Sequence, residues 1–176
     1  MEHPGEIVNV TELHLHPKFT KNRDGSYSYD FCLAKVTPIN LMDCESTRAD
    51  SSVFSETFFQ QKLLKTISQC VIAGWGVTEN GVQSVALREA NVTLLSERIC
   101  NKTYHGNNFD IFCAGLLNTP NAQDACLGDS GGPLYCKNQN DEYIQYGLVS
   151  GGKTYGKCGQ KNTPGIRVSR RTFKWT

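Results

Sequence analysis

The segment from Asp124 to Pro133 reads Asp-Ala-Cys-Leu-Gly-Asp-Ser-Gly-Gly-Pro and constrains this chain more than any other segment. It places a serine among small, turn-forming residues, which is the setting of a nucleophile. A serine hydroxyl needs an adjacent base, and the oxyanion formed on attack needs N–H donors. Gly128 permits a turn in which its own N–H and that of Ser130 point at one spot. The alternative interpretation is a glycine-rich surface turn without chemistry.

This segment resembles the active-serine loop of the trypsin-like (chymotrypsin-fold) serine proteases. Other motifs follow in the order of that family: Tyr29–Val36, Cys70–Gly76, Phe112–Gly115, Leu148–Gly152 and Pro164–Gly165. The resemblance is dense from Cys70 to the C-terminus and looser upstream. It implies an all-β fold, an antiparallel double β-barrel with the active site in the cleft between the barrels.

The resemblance also implies a division of the chain. Residues 70–176 would form the second β-barrel, which carries the active-serine loop. Residues 1–69 would be a remnant of the first barrel plus the inter-barrel linker, so that the first barrel is incomplete. Alternating side chains predict a half-buried strand over Ile7–Leu15, followed by a loop over Lys21–Ser28. Apolar spacing from Phe54 to Ile67 predicts a short amphipathic helix, where the family would have an extended connection.

Catalytic roles follow from the resemblance. Ser130 matches the nucleophile, the N–H groups of Gly128 and Ser130 match the oxyanion hole, and Asp30 matches the carboxylate that orients the base. Asp30 could instead be a carboxylate at a strand edge. Asp129 matches the carboxylate that pairs with the amino group of the family's mature N-terminus, which has no counterpart here.

The family's base is a histidine in an Ala-Ala-His-Cys context, and no histidine here has that context. The four histidines are His3, His14, His16 and His105. His16-Pro17 resembles a His-Pro pair that is structural in the family. We therefore expect that the catalytic histidine is absent, that the chain is N-terminally truncated, and that by itself it is inactive.

Asp124 lies six residues before Ser130, where the family has the floor of its primary specificity pocket. An acid at this position implies cleavage after Lys or Arg; the alternative is a solvated loop aspartate. The other substrate-binding residues implied by the resemblance are Ser150, Gly152 and Gly165. Gly151 departs from the family, which usually has a tryptophan there that packs beneath bound substrate.

Eight cysteines in 176 residues indicate an oxidising compartment. No pair has C-x-x-C spacing, so we expect no metal site, and no motif predicts a cofactor. The resemblance implies the bridges Cys70–Cys136, Cys100–Cys113 and Cys126–Cys158. Cys32 is expected to be a buried free thiol. Cys44 would join a propiece or a missing segment.

Three Asn-x-Thr sequons, at Asn9, Asn91 and Asn101, predict glycosylation and fit a secreted, extracellular protein. The chain nevertheless opens Met-Glu-His-Pro-Gly-Glu, without the features of a signal peptide, which favours an incomplete gene product. A net charge of +1 gives no case for nucleic acid, and no apolar run is long enough for a membrane span.

The sequence thus predicts a trypsin-like serine endopeptidase domain, incomplete at its N-terminus. Its partners would be a polypeptide substrate with Lys or Arg at the cleavage site, or a protein inhibitor. One alternative is a non-catalytic homologue that acts as an extracellular binding module. Another is a truncated isoform without a stable fold.

Overall fold

The computed structural model describes residues 7–22, 26–38, 69–104, 111–117, 123–138, 140–141, 143–151, 158–159 and 166–170. For the last of these segments it describes the backbone alone. The predicted helix over Phe54–Ile67 lies outside the described residues, as does Cys44.

The described residues form ten β-strands and one short α-helix, which confirms the predicted all-β class. The strands are β1 (Val10–Leu15), β2 (Thr20–Lys21), β3 (Tyr27–Ser28), β4 (Cys32–Val36), β5 (Cys70–Gly74), β6 (Arg88–Leu94), β7 (Ile111–Gly115), β8 (Pro133–Lys137), β9 (Tyr143–Gly151) and β10 (Ile166–Arg170). The helix, α1 (Glu97–Tyr104), begins directly after Ser96, two residues beyond the end of β6.

Six strands close into an antiparallel barrel in the order β10-β7-β6-β5-β8-β9. The barrel follows from side-chain alternation, which β6 shows most clearly. Val92 is buried in the core, with Ala90 and Leu94 packed against it, whereas Asn91 and Thr93 are exposed. Because successive side chains of a strand point to opposite faces, this pattern gives β6 one core face and one solvent face.

Three disulfides fasten the barrel, and all three pairings implied by the resemblance are confirmed. Cys70–Cys136 joins the directly paired strands β5 and β8, and Cys100–Cys113 ties α1 to β7. Cys126–Cys158 spans 32 residues and anchors the segment that precedes Ser130. Each bridge restricts the unfolded chain and so favours the folded state.

The N-terminal strands form two separate pairs, β1 with β4 and β2 with β3. The prediction that the β1 segment is half-buried is wrong, since all six residues of β1 are exposed. A two-stranded sheet can bury little unless another layer covers it, and none among the described residues does so. The prediction of a loop over Lys21–Ser28 is also wrong at both ends, because Lys21 belongs to β2 and pairs with Tyr27 of β3. Asn22 adds a side-chain contact here by donating to Ser28 Oγ at 3.0 Å.

Cys32 corrects a further expectation. It is a free cysteine, as predicted, but it is exposed and not buried. The reason is the same lack of a covering layer, because every residue of β4 is exposed. Its neighbour Leu33 is 46% exposed as well.

Candidate active site

The serine loop is a tight turn between Cys126 and β8. The N–H of Asp129 donates to Cys126 O at 3.0 Å, and the N–H of Gly132 donates to Asp129 O at 3.0 Å. Gly128 and Gly131 take φ values of 97° and 83°, in the left-handed region that glycine adopts without a Cβ penalty. Ser130 is exposed at the top of this turn, and its hydroxyl bonds to no described residue.

Hydrogen bonds to β9 hold the serine loop in place. The N–H of Gly131 donates to Val149 O at 2.7 Å, and the N–H of Val149 donates back to Gly132 O at 2.8 Å. Val149 is buried in the barrel core. The serine loop is therefore bonded directly to a residue of the buried barrel core.

The carboxylate of Asp129 fastens the loop to the end of β5. Its Oδ1 accepts from the N–H of Gly76 and its Oδ2 from the N–H of Cys126, both at 2.9 Å. A Cβ on Gly74 or on Gly76 would overlap this carboxylate, so the close approach requires glycine at both positions. Hydrogen bonds to a charged acceptor are stronger than those between neutral groups, which makes this contact a principal anchor of the turn.

The two amides predicted for an oxyanion hole have no acceptor among the described residues. Neither the N–H of Gly128 nor that of Ser130 donates to any of them. A Cβ on Gly128 would lie 3.3 Å from the Cα of Gly76 and 3.2 Å from Gln83 Nε2. Gly128 is thus required both by its φ and by this crowding. Two unbonded backbone donors beside an exposed hydroxyl are the elements that an oxyanion site needs.

Asp30 and Ser150 meet across 120 residues of sequence. The hydroxyl of Ser150 donates to Asp30 Oδ2 at 2.7 Å, and both side chains are half-buried. This contact joins the chain before β4 to the barrel strand β9. It also shows what the resemblance left out: Ser150 was assigned to substrate binding, and in the structure its hydroxyl bonds to the Asp30 carboxylate.

A strained turn carries Asp30. The preceding residue, Tyr29, has a φ of 52°, which is uncommon for a residue with a bulky side chain. The ring of His16 stacks on the ring of Tyr29 with 4.7 Å between centroids and 9° between planes. The N–H of Phe31 donates to Tyr29 O at 2.9 Å. No sequence signal marks the conformation of Tyr29, since a tyrosine gives no hint of positive φ.

Neither described imidazole bonds to Ser130. His16 is 6% exposed, lies against Tyr29 and Phe31, and accepts from the N–H of Lys18 through Nδ1 at 3.1 Å. His14 lies on the exposed strand β1 with its Nε2 3.2 Å from Glu12 Oε2. Both contacts are structural in kind. The two other histidines, His3 and His105, lie outside the described residues.

Asp124 is half-buried and lines a cavity of about 690 Å³. Its Oδ2 accepts from the N–H of Gly159 at 3.0 Å, while its buried Oδ1 has no hydrogen-bond partner among the described residues. Burial raises the pKa of Asp124 to about 6; backbone N–H groups of Gly159 and Ala125 act in the opposite direction, and the charge of Asp129 adds slightly to the rise. Gly152 and Gly165, the other predicted pocket residues, lie outside the described residues.

The cavity is predominantly acidic. Besides Asp124, the carboxylates of Asp129, Glu79 and Glu89 line it, and Arg88 is the one cation among its described lining residues. The guanidinium of Arg88 is 3.6 Å from Glu79 Oε2 and is therefore partly neutralised. Such a lining favours a cationic occupant.

Two features are absent from the described residues. The described residues contain no cluster of three or more side chains able to hold a metal ion. No helix within the described part of the chain is long and apolar enough to cross a bilayer.

The antiparallel barrel presents Ser130 on a glycine turn, six residues after the half-buried Asp124, and Ser150 bonds to Asp30. This combination is typical of the serine-protease class. Comparison with known proteins names the family. The sequence matches the trypsin family, described as Trypsin, over residues 2–175. The chain belongs to the trypsin family of serine proteases.

A curated relative supports the same assignment. The ovochymase of Halocynthia roretzi is 32% identical to this chain over 167 residues. The match covers 91% of this chain and 10% of that protein. The chain therefore spans about a tenth of the length of the relative that it matches.

Proposed function

We propose that this chain is a trypsin-like serine endopeptidase domain whose specificity pocket takes Lys or Arg. The observation that carries the proposal is the buried Oδ1 of Asp124, which lacks a hydrogen-bond partner among the described residues. A buried polar group without a partner is unfavourable, and a carboxylate all the more so. A guanidinium or ammonium group would supply both the opposite charge and the missing donors.

The remaining residues have roles consistent with peptide hydrolysis. Ser130 would attack the scissile carbonyl, and the amides of Gly128 and Ser130 would stabilise the oxyanion. Asp30, held by Ser150, would orient an imidazole. Since neither His14 nor His16 bonds to Ser130, we propose that the chain by itself does not hydrolyse peptides.

A second candidate function is that of a non-catalytic homologue, a binding module that retains the pocket. The structural contacts of His14 and His16 favour it, because they leave Ser130 without a base among the described residues. Under either function, the partner is a polypeptide that presents Lys or Arg, such as a substrate or a protein inhibitor.

The proposed compartment is extracellular. The three disulfides are stable in an oxidising environment and rare in the cytosol. Secretion of the chain would place it there together with polypeptide partners of the same compartment.

Two measurements on the full chain test the proposal. The first compares binding of matched peptides that end in Arg, Lys or norleucine. We expect the two cationic peptides to bind at least about tenfold more tightly, a difference of about 1.4 kcal/mol. Equal binding of the norleucine peptide would overturn the proposed specificity.

The second measurement applies a serine-directed phosphonate with an arginine-like side chain, followed by mass analysis of the peptide that contains Ser130. We expect no labelling, because no described residue bonds to the Ser130 hydroxyl as an activating base. Stoichiometric labelling at Ser130 would show that the chain is an active enzyme, and would exclude the non-catalytic function.

A further inference from the structure

The three Asn-x-Thr sequons lie in three different structural settings. Asn91 is exposed on the barrel strand β6, Asn101 is half-buried within α1, and Asn9 is exposed just before β1. An N-linked glycan is bulky and must remain in solvent after folding. We propose that the chain carries an N-linked glycan at Asn91, on the outer face of the barrel, and that Asn101 stays unmodified.

The geometry of β6 presents both halves of the Asn91 sequon to solvent. Val92 is 3% exposed and points into the core, so its two neighbours point away from it. Asn91 and Thr93 are both exposed, two residues apart on one face of an extended strand. The closed barrel fixes this face, because a one-residue slip of β6 would carry Val92 out of the core.

The hydrogen bonding of Asn91 is compatible with the modification. Gln69 Nε2 donates to Asn91 Oδ1 at 3.3 Å, and Nδ2 of Asn91 has no acceptor among the described residues. Glycosylation consumes one hydrogen of Nδ2 and leaves Oδ1 as an acceptor, so the bond from Gln69 can persist in the glycoprotein.

The transfer requires an oligosaccharide linked to a lipid pyrophosphate as donor. Nδ2 of Asn91 forms a bond to the anomeric carbon, the bond from that carbon to the pyrophosphate oxygen breaks, and the lipid pyrophosphate leaves. The displaced proton of Nδ2 goes to a base of the transferring enzyme. The donor and the disulfides Cys70–Cys136 and Cys100–Cys113 belong to the same secretory route.

The Asn101 sequon differs from the Asn91 sequon at both its asparagine and its threonine. The hydroxyl of Thr103 donates to Ile99 O at 3.0 Å within α1. The adjacent residue Cys100 is 3% exposed and is bridged to Cys113, which ties α1 to β7. A glycan on half-buried Asn101 would have to displace this packing. We therefore expect molecules that fold and leave the cell to lack it.

The test is a site-resolved map of the full chain, exported from eukaryotic cells behind a leader sequence. Enzymatic release of glycans in heavy-oxygen water marks each modified asparagine as a labelled aspartate, which mass analysis reads at Asn9, Asn91 and Asn101. We expect Asn91 to be marked in most molecules and Asn101 in few. The inference is overturned if Asn91 is unmarked while Asn9 is marked, if no sequon is marked, or if Asn101 is marked as often as Asn91.

Matched variants sharpen the result, and the two that test the Asn91 sequon leave Asn91 itself unchanged. Thr93→Ala destroys the sequon and should abolish the mark at Asn91, whereas Thr93→Ser preserves the sequon and should retain it. Asn101→Gln should leave the glycan content of the exported chain unchanged. A loss of mass on Asn101→Gln equal to that on Thr93→Ala would contradict the proposal. The result is independent of the proteolytic function, because it does not involve Ser130 or Asp124.

Discussion

Replacing Asp124 by asparagine should stabilise this chain above pH 6 and leave its stability unchanged at low pH. The carboxylate is half-buried, and burial raises its pKa to about 6, against the usual 3.8. In the unfolded chain the group would return to its usual pKa. The folded state therefore binds the Asp124 proton more tightly than the unfolded state does.

This difference in proton affinity sets the direction in which stability changes with pH. Below about pH 3.8 Asp124 is protonated in both states and imposes no penalty on folding. Between pH 3.8 and 6 the unfolded state loses the proton first, so the free energy of unfolding falls as pH rises. Above pH 6 the penalty is complete. At about 1.4 kcal/mol for each pH unit between the two pKa values, the penalty is about 3 kcal/mol.

An asparagine has nearly the same shape, keeps an oxygen to accept from the N–H of Gly159, and carries no charge to bury. We expect Asp124→Asn to raise the free energy of unfolding by about 1–3 kcal/mol at pH 8 and by little at pH 3.5. Urea unfolding with the disulfides intact measures both values. The matched control is Glu89→Gln, which removes an exposed carboxylate from the same cavity and should change stability by less than about 0.5 kcal/mol. An Asp124→Asn variant less stable than the wild type at pH 8 would refute the reasoning.

Three further perturbations test other parts of the site. Gly76→Ala should destabilise the chain by about 3 kcal/mol in urea unfolding, because its Cβ would expel the Asp129 carboxylate from two backbone hydrogen bonds. The control is Gly81→Ala, whose Cβ would meet open space and should cost only the left-handed backbone penalty of about 1–2 kcal/mol. Equal losses of stability in the two variants would contradict this explanation. Ser150→Ala removes a hydrogen bond to a half-buried carboxylate and should lower the free energy of unfolding by about 1.5 kcal/mol, whereas no change would show that the bond is immaterial. Cys32 is exposed, so a thiol reagent should modify it in the native chain and peptide mapping should find the adduct; protection until denaturant is added would contradict its exposure.

Much of the barrel could be predicted from the sequence, because its signals are local and its motifs are dense. The all-β class of the barrel and its three disulfide pairings were expected from the family resemblance, and the structure has both. The free state of Cys32 was predicted as well, but its exposure was not. Burial depends on whether another layer covers β1 and β4. The alternation of side chains within either strand does not indicate whether such a layer is present.

Some features of the candidate active site could also be predicted from the sequence, and others could not. The turn around Ser130 could be recognised from its glycines, because glycine is the residue that most readily adopts the positive φ found at Gly128 and Gly131. The contact between Ser150 and Asp30 could not be found from spacing, since 120 residues separate the two partners. The positive φ of Tyr29 also lacked a signal, because ring stacking on His16 and not a glycine accompanies it.

The most direct test of the proposed cation-binding pocket around Asp124 is calorimetric titration of the full chain with benzamidine, a compact cation that stays protonated from pH 5 to pH 8. The account predicts binding at pH 8, at least about tenfold weaker binding by Asp124→Asn, and a wild-type affinity that falls by about tenfold for each pH unit below about pH 6. Equal affinity for the wild type and the Asp124→Asn variant, or an affinity independent of pH across this range, would contradict it.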